Sequence, residues 1–139
     1  LAGMSFANSP VAGVHALAYP LGGKYKVSHG LSNALLLPHV IRFNMQVPAT
    51  KEAYAKLAGI VFPVLEKIDD LDQRAESFSE EFTTLSKHLN LPTRLREINI
   101  PEKACREMAK EAMKQERLLV NNPKTITLED AEKIYKAAW

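Results

Sequence analysis

Ile68, Leu71, Ala75, Phe78, Phe82, Leu85 and Leu89 recur at alternating steps of three and four residues. That spacing predicts one amphipathic helix with a single apolar stripe, ending near Asn90–Leu91–Pro92. Asp72, Arg74, Glu76 and Lys87 take its other faces. A second helix is expected after Pro101, carrying Ala104, Met108 and Ala112 on one stripe with Cys105, Ala109 and Met113 alongside. Thr127–Leu128–Glu129–Asp130 reads as a capping box with Asp in place of the usual Glu. It opens a last helix whose Leu128, Ala131, Ile134, Tyr135 and Ala138 face inward. Thr50 is expected to cap a further helix bearing Tyr54, Leu57 and Ala58.

The first 44 residues follow another pattern. They are apolar almost throughout and are punctuated by proline and glycine. Pro10 is expected to begin a helix through His15 to Tyr19, with Pro20 and Gly22–Gly23 ending it. Ser28 is expected to cap the next, from His29 or Gly30 to about Phe43, with Pro38 inside it kinking it or loosening its hydrogen bonding. No alternation bounded by hairpin turns signals a strand. The expected fold class is therefore all-α, a bundle of six or seven helices in one domain spanning 1–139.

Charge sharpens the division. Residues 1–44 hold three basic residues (Lys24, Lys26, Arg42) and no acid, whereas all 16 acids lie from Glu52 onward. A surface helix carries a charged face, so so uncharged a stretch must be covered on most sides, in part by a partner outside this chain. Leu1 opens an apolar segment without a cap, which reads as a cut within a longer chain. The net charge of +2 gives no reason to expect a nucleic-acid or membrane partner. One cysteine, Cys105, excludes an internal disulfide and fits a reducing, cytoplasmic compartment. No apolar run approaches membrane-spanning length.

Three of the four histidines, His15, His29 and His39, sit in the charge-poor stretch. His15 and His29 fall on different helices, each among small or apolar residues. A neutral imidazole in such surroundings is a good ligand for zinc or iron. Core or capping histidines are the commoner case, and the spacing alone does not separate the two readings. No carboxylate lies nearby, so an anionic ligand to any metal must come from a distant segment. His39 reads as structural, bonded to backbone; His88 reads as solvated at a charged helix end. Nothing near Cys105 suggests thiolate activation. Lys24 and Lys26 read as a solvated turn.

The segments GMSFANSPVAGVHALAYPLGG and KVSHGLSNALLLPHVIRFN resemble the second signature region of the iron-containing (group III) alcohol dehydrogenases. That family places a histidine in a small-residue helix ahead of a Pro–hydrophobic–Gly break. A second follows 14 residues later in a His-Gly-x-x-Asn-Ala-x-x-Leu-Pro-His-Val context. Here these match His15 and His29, with Gly30, Asn33, Ala34, Leu37, Pro38, His39 and Val40 in place. The ending Thr-Leu-Glu-Asp…Ile-Tyr-Lys-Ala-Ala-Trp is also similar, so the resemblance spans the chain.

The resemblance implies the C-terminal helical domain of a dehydroquinate synthase-like fold, with metal and substrate in a cleft against an N-terminal dinucleotide-binding domain. His15 and His29 would be metal ligands, completed by an aspartate and a histidine upstream of Leu1. Fe2+ (or Zn2+) and NAD(P) are the implied cofactors of the intact enzyme. Phe6 matches an aromatic near the cleft entrance and Val11 a pocket-lining aliphatic; both also suit plain core packing. Tyr19 departs from the histidine many members carry near the nicotinamide. A phenol can donate a hydrogen bond or relay a proton but does not titrate near neutrality. The implied partners are a small-molecule alcohol, aldehyde or hydroxy acid, the chain's own N-terminal domain, and a second copy in a homodimer. The fragment alone is expected to be inactive. The competing expectation is a non-catalytic helical interaction module whose histidines are structural and whose apolar stretch is a partner surface.

Overall fold

The computed structural model describes the backbone of residues 1–139 and the side chains of all but Ala2, Ser5 and Phe6. Among the described residues it is all-α. Seven helices of seven residues or more are α1 (Ala2–Asn8), α2 (Gly13–Tyr25), α3 (His29–Asn44), α4 (Pro48–Val61), α5 (Leu71–His88), α6 (Ala104–Ala112) and α8 (Leu128–Ala138), with a single turn α7 (Glu116–Leu119) before the last. Short 3-10 segments, Pro63–Lys67 and Leu95–Ile98, follow α4 and α5.

The charge-poor α3 lies at the centre, packed on α2, α5 and α8. Leu35, Leu36, Val40 and Phe43 enter one core with Leu17 and Leu21 of α2, Met108 of α6 and Tyr135 of α8. Ile41 and Met45 enter a second core with Ala55 and Ala58 of α4 and Ala75 and Phe78 of α5. A helix buried between two cores has no face for charges, which explains its composition. The chain itself supplies most of the cover that the composition led us to expect from a partner. Among the described residues, the exposed large apolar residues of the first 44 are Leu1, Met4 and Tyr19.

Several local expectations need correction. Pro20 does not end α2; it is buried within it, and the helix runs on to Tyr25. A helical proline costs about 3 kcal/mol, and the extension keeps Leu21 wholly in the core, which returns about 1.5–3 kcal/mol. Nor do Gly22 and Gly23 cap it. The left-handed residue is Lys26, with φ of 58°, whose N–H bonds to the Gly22 carbonyl at 3.2 Å. Pro48, not Thr50, opens α4, standing at the first turn where a missing N–H costs nothing. The stripe of α5 holds at Ala75 and Phe78, but Leu71, Leu85 and Leu89 are exposed while Ser79 and Ser86 are buried. The two serines satisfy their hydroxyls on the helix's own carbonyls of Glu76 and Phe82. Ser79 and Ser86, seven residues apart, lie on the buried side of α5, and Leu85 and Leu89 are turned outward.

Pro10 does not begin α2, which starts at Gly13, and the Ser28 side chain makes no capping bond to α3. Other expectations hold. α3 begins at His29 and is continuous through a buried Pro38. The stripe of α6 is buried at Ala104, Cys105, Met108, Ala109 and Ala112. The Thr127–Asp130 capping box is complete, with Thr127 Oγ1 accepting from the Asp130 N–H at 3.2 Å and the Thr127 N–H donating back to Asp130 at 3.1 Å.

Candidate functional site

α2 and α3 pack as an adjacent pair and bring His15 and His29 together. Their ring centroids are 5.1 Å apart at an interplanar angle of 54°. His15 is half-buried and His29 exposed at the start of its helix. Burial, and then the neighbouring His29, hold the His15 pKa below the usual imidazole value, so His15 is neutral at pH 7.

His15 is placed by a close approach. An added Cβ at Gly13 would lie 2.6 Å from Asn122 Oδ1 and 2.7 Å from Ile126 Cδ1. Only a residue without a side chain lets the first turn of α2 reach the Asn122–Ile126 segment. Asn122 is in turn locked to α3, donating to Asn44 Oδ1 at 2.7 Å and to the Lys124 carbonyl at 2.7 Å. Asn44 donates towards Asn122 Oδ1 and the Tyr54 hydroxyl, both at 3.3 Å. This buried amide pair joins α2, α3, α4 and the C-terminal segment around one point.

Beside it is a cavity of about 320 Å³, largely apolar, whose walls include Val11, Val14, His15, Leu37, Tyr54 and Asn122. Asn33 also borders it. Its Nδ2 donates to the His29 carbonyl at 2.8 Å and lies 3.1 Å from His29 Nε2. Its Oδ1 is buried with no partner among the described residues. An unpaired buried acceptor costs about 1–3 kcal/mol unless a bound group supplies a donor.

These residues fit a divalent metal. Two imidazoles sharing one tetrahedral ion through bonds of about 2.1 Å have ring centres about 5 Å apart, close to the separation of the His15 and His29 rings. A neutral nitrogen pair suits iron or zinc. Among the described residues no third histidine, cysteine or carboxylate joins them in a group that could hold a metal. The chain therefore offers two donors, not a closed site.

The remaining expected site residues disperse. Val11 lines the cavity with His15. The Phe6 side chain lies outside the described residues. Tyr19, 55% exposed, stands one turn beyond His15 and borders a separate cleft with Lys24, Glu111 and Gln115. Among the described residues His39 makes no hydrogen bond to backbone, contrary to expectation; its ring faces a cleft shared with Arg42 and Arg94. Lys24 pairs with Glu107 at 2.5 Å. Cys105 is buried, and burial pushes its thiol pKa up, away from activation. Sequence reading missed Gly13, Asn44, Tyr54 and Asn122. Only Asn33 carried a signal, as a motif position without an assigned role.

The whole chain, residues 1–139, matches the Fe-containing alcohol dehydrogenase family, C-terminal. It is 38% identical to long-chain-alcohol dehydrogenase 1 of Geobacillus thermodenitrificans, over all of this chain and 34% of that protein. It is 32% identical to lactaldehyde reductase of Escherichia coli, over all of this chain and 35% of that protein. The crystal structure of a 1,3-propanediol oxidoreductase superposes with a TM-score of 0.87 at 34% identity, covering 99% of this chain and 35% of that one. The chain belongs to the Fe-containing alcohol dehydrogenase family and corresponds to its C-terminal, all-helical portion. It spans about a third of the length of these relatives.

Proposed function

We propose that this chain is the metal- and substrate-side domain of an NAD(P)-dependent oxidoreductase acting on a small alcohol, aldehyde or hydroxy acid. The observation that carries the reading is the convergence of His15 and His29 at one metal-sized separation beside an apolar cavity. A divalent metal held there would supply Lewis acidity to the substrate oxygen, and a nicotinamide would supply the hydride acceptor.

The chain's own residues prepare that chemistry. His15 is held neutral, so its lone pair is free at pH 7. Asn33 Nδ2 donates to the His29 carbonyl at 2.8 Å and stands 3.1 Å from His29 Nε2, a contact that a metal on that nitrogen would displace. Val11, Val14 and Leu37 give the cavity beside His15 apolar walls, which would strengthen charge–dipole interactions along them. The Asn33 carbonyl oxygen offers an acceptor for a substrate hydroxyl. Tyr19, one turn on from His15, is assigned to the nicotinamide side as a hydrogen-bond donor. Phe6 and Val11 are assigned to the substrate pocket.

The other metal donors and the dinucleotide-binding part belong, on this reading, to the remainder of the intact protein, and residues 1–139 alone do not turn over substrate. The test is nicotinamide-linked oxidation of short and long alcohols by the metal-loaded full-length protein. Activity lost in His15→Ala and His29→Ala together with bound metal, the fold being kept, supports the reading. Unchanged activity in both variants overturns it.

A further inference from the structure

The cleft beside His39 is formed by α3, α5 and the turn that leads to Leu95. Its volume is about 400 Å³, and its walls include His39, Arg42, Glu80, Thr83, Lys87 and Arg94. A second cavity of about 370 Å³ shares His39 and Arg42 with it and adds Lys133. The charges do not balance. Three cations, Arg42, Lys87 and Arg94, face one carboxylate. That carboxylate, Glu80, stands 3.8 Å from Arg42 Nη2, too far for a hydrogen bond. Among the described residues neither Lys87 nor Arg94 has an ion-pair partner. Across the second cavity Asp130 is engaged by the Thr127 N–H and hydroxyl. The positive field reaches the cleft wall, where burial first, and then Arg42 and Arg94, push the His39 pKa down to about 4.

The donors are of one kind. Two guanidiniums present planar forks that match oxyanions, and an ammonium and half-buried threonine hydroxyls add point donors. A concave wall with uncompensated positive charge concentrates anions. We propose that this cleft binds a phosphate-class oxyanion, either free phosphate or the phosphate of a small ester. It is separate from the histidine pair, since no residue lines both cavities.

Calorimetric titration of the full-length protein with inorganic phosphate, and separately with glycerol phosphate, at constant ionic strength tests this. The expected result is saturable binding that falls at least tenfold in Arg94→Gln and in Lys87→Ala and persists in His29→Ala. The His39 ring resonances should titrate at higher pH when phosphate is present. Tighter binding of the ester identifies a metabolite as the source; equal binding identifies free phosphate. Lys87 is exposed, so its variant keeps the test open if Arg94→Gln does not fold. A response reproduced by chloride at matched ionic strength would overturn the proposal. So would full affinity in the Lys87 variant, phosphate binding lost in His29→Ala, or no binding because an acidic segment of the intact protein fills the cleft.

Discussion

Asn122 and Asn44, 78 residues apart, donate to each other's carbonyl oxygens at 2.7 and 3.3 Å inside the core, at the floor of the cavity that His15 borders. The pair ties the C-terminal segment to α3 and so sets where the first turn of α2 can lie. Breaking one partner leaves a buried amide unsatisfied, at a cost of about 1–3 kcal/mol. We predict that Asn44→Ala and Asn122→Ala each destabilise by that amount, and that the double variant loses less than their sum. Chemical denaturation of the four proteins of the cycle gives the answer. Additive losses would mean that the amides do not act as a pair.

Gly13→Ala pushes a methyl into Asn122 Oδ1 and Ile126 Cδ1. Overpacking of this kind costs about 1–3 kcal/mol. Because the shift falls two residues before His15, metal affinity should drop with stability. Denaturation and metal titration of the same variant check both halves.

His39 gives the protein a pH-dependent stability. Its folded pKa, about 4, lies below the ordinary 6.5, because the ring is buried and faces Arg42 and Arg94. The unfolded chain therefore binds the extra proton first. The contribution is fully present above about pH 6.5 and is lost as pH falls towards 4. The shift corresponds to about 3 kcal/mol. Thermal unfolding between pH 7 and pH 4 should show this slope, flattened in His39→Leu. An unchanged slope in that variant would assign the effect elsewhere.

The last helix depends on its cap. Thr127→Ala removes the acceptor for the Asp130 N–H and should cost about 1 kcal/mol. The Thr127→Ser variant should recover most of it.

Much of this organisation was legible in the chain. The capping box, the α6 stripe and the boundaries of α3 follow from local chemistry, and local chemistry is written in neighbouring residues. The signature histidines were legible as a pair because their motif is long. What escaped was set by packing. Pro20 stays helical because Leu21 beyond it fills the core. Ser79 and Ser86 are buried, and Leu85 exposed, because the face of α5 that meets α3 and α4 is set by tertiary packing and not by the apolar spacing alone. The Asn44–Asn122 pair and the clearance at Gly13 join residues far apart in sequence, so no local pattern announces them. The positive cleft at His39 likewise draws Arg42 and Arg94 from separate elements.

His15 and His29 are proposed to ligate one metal. X-ray absorption at the metal edge of the iron- or zinc-loaded full-length protein tests it most directly. The expected spectrum shows outer-shell scattering from imidazole that diminishes in His15→Ala and in His29→Ala. A metal spectrum without imidazole scattering, or one unchanged in both variants, would contradict it.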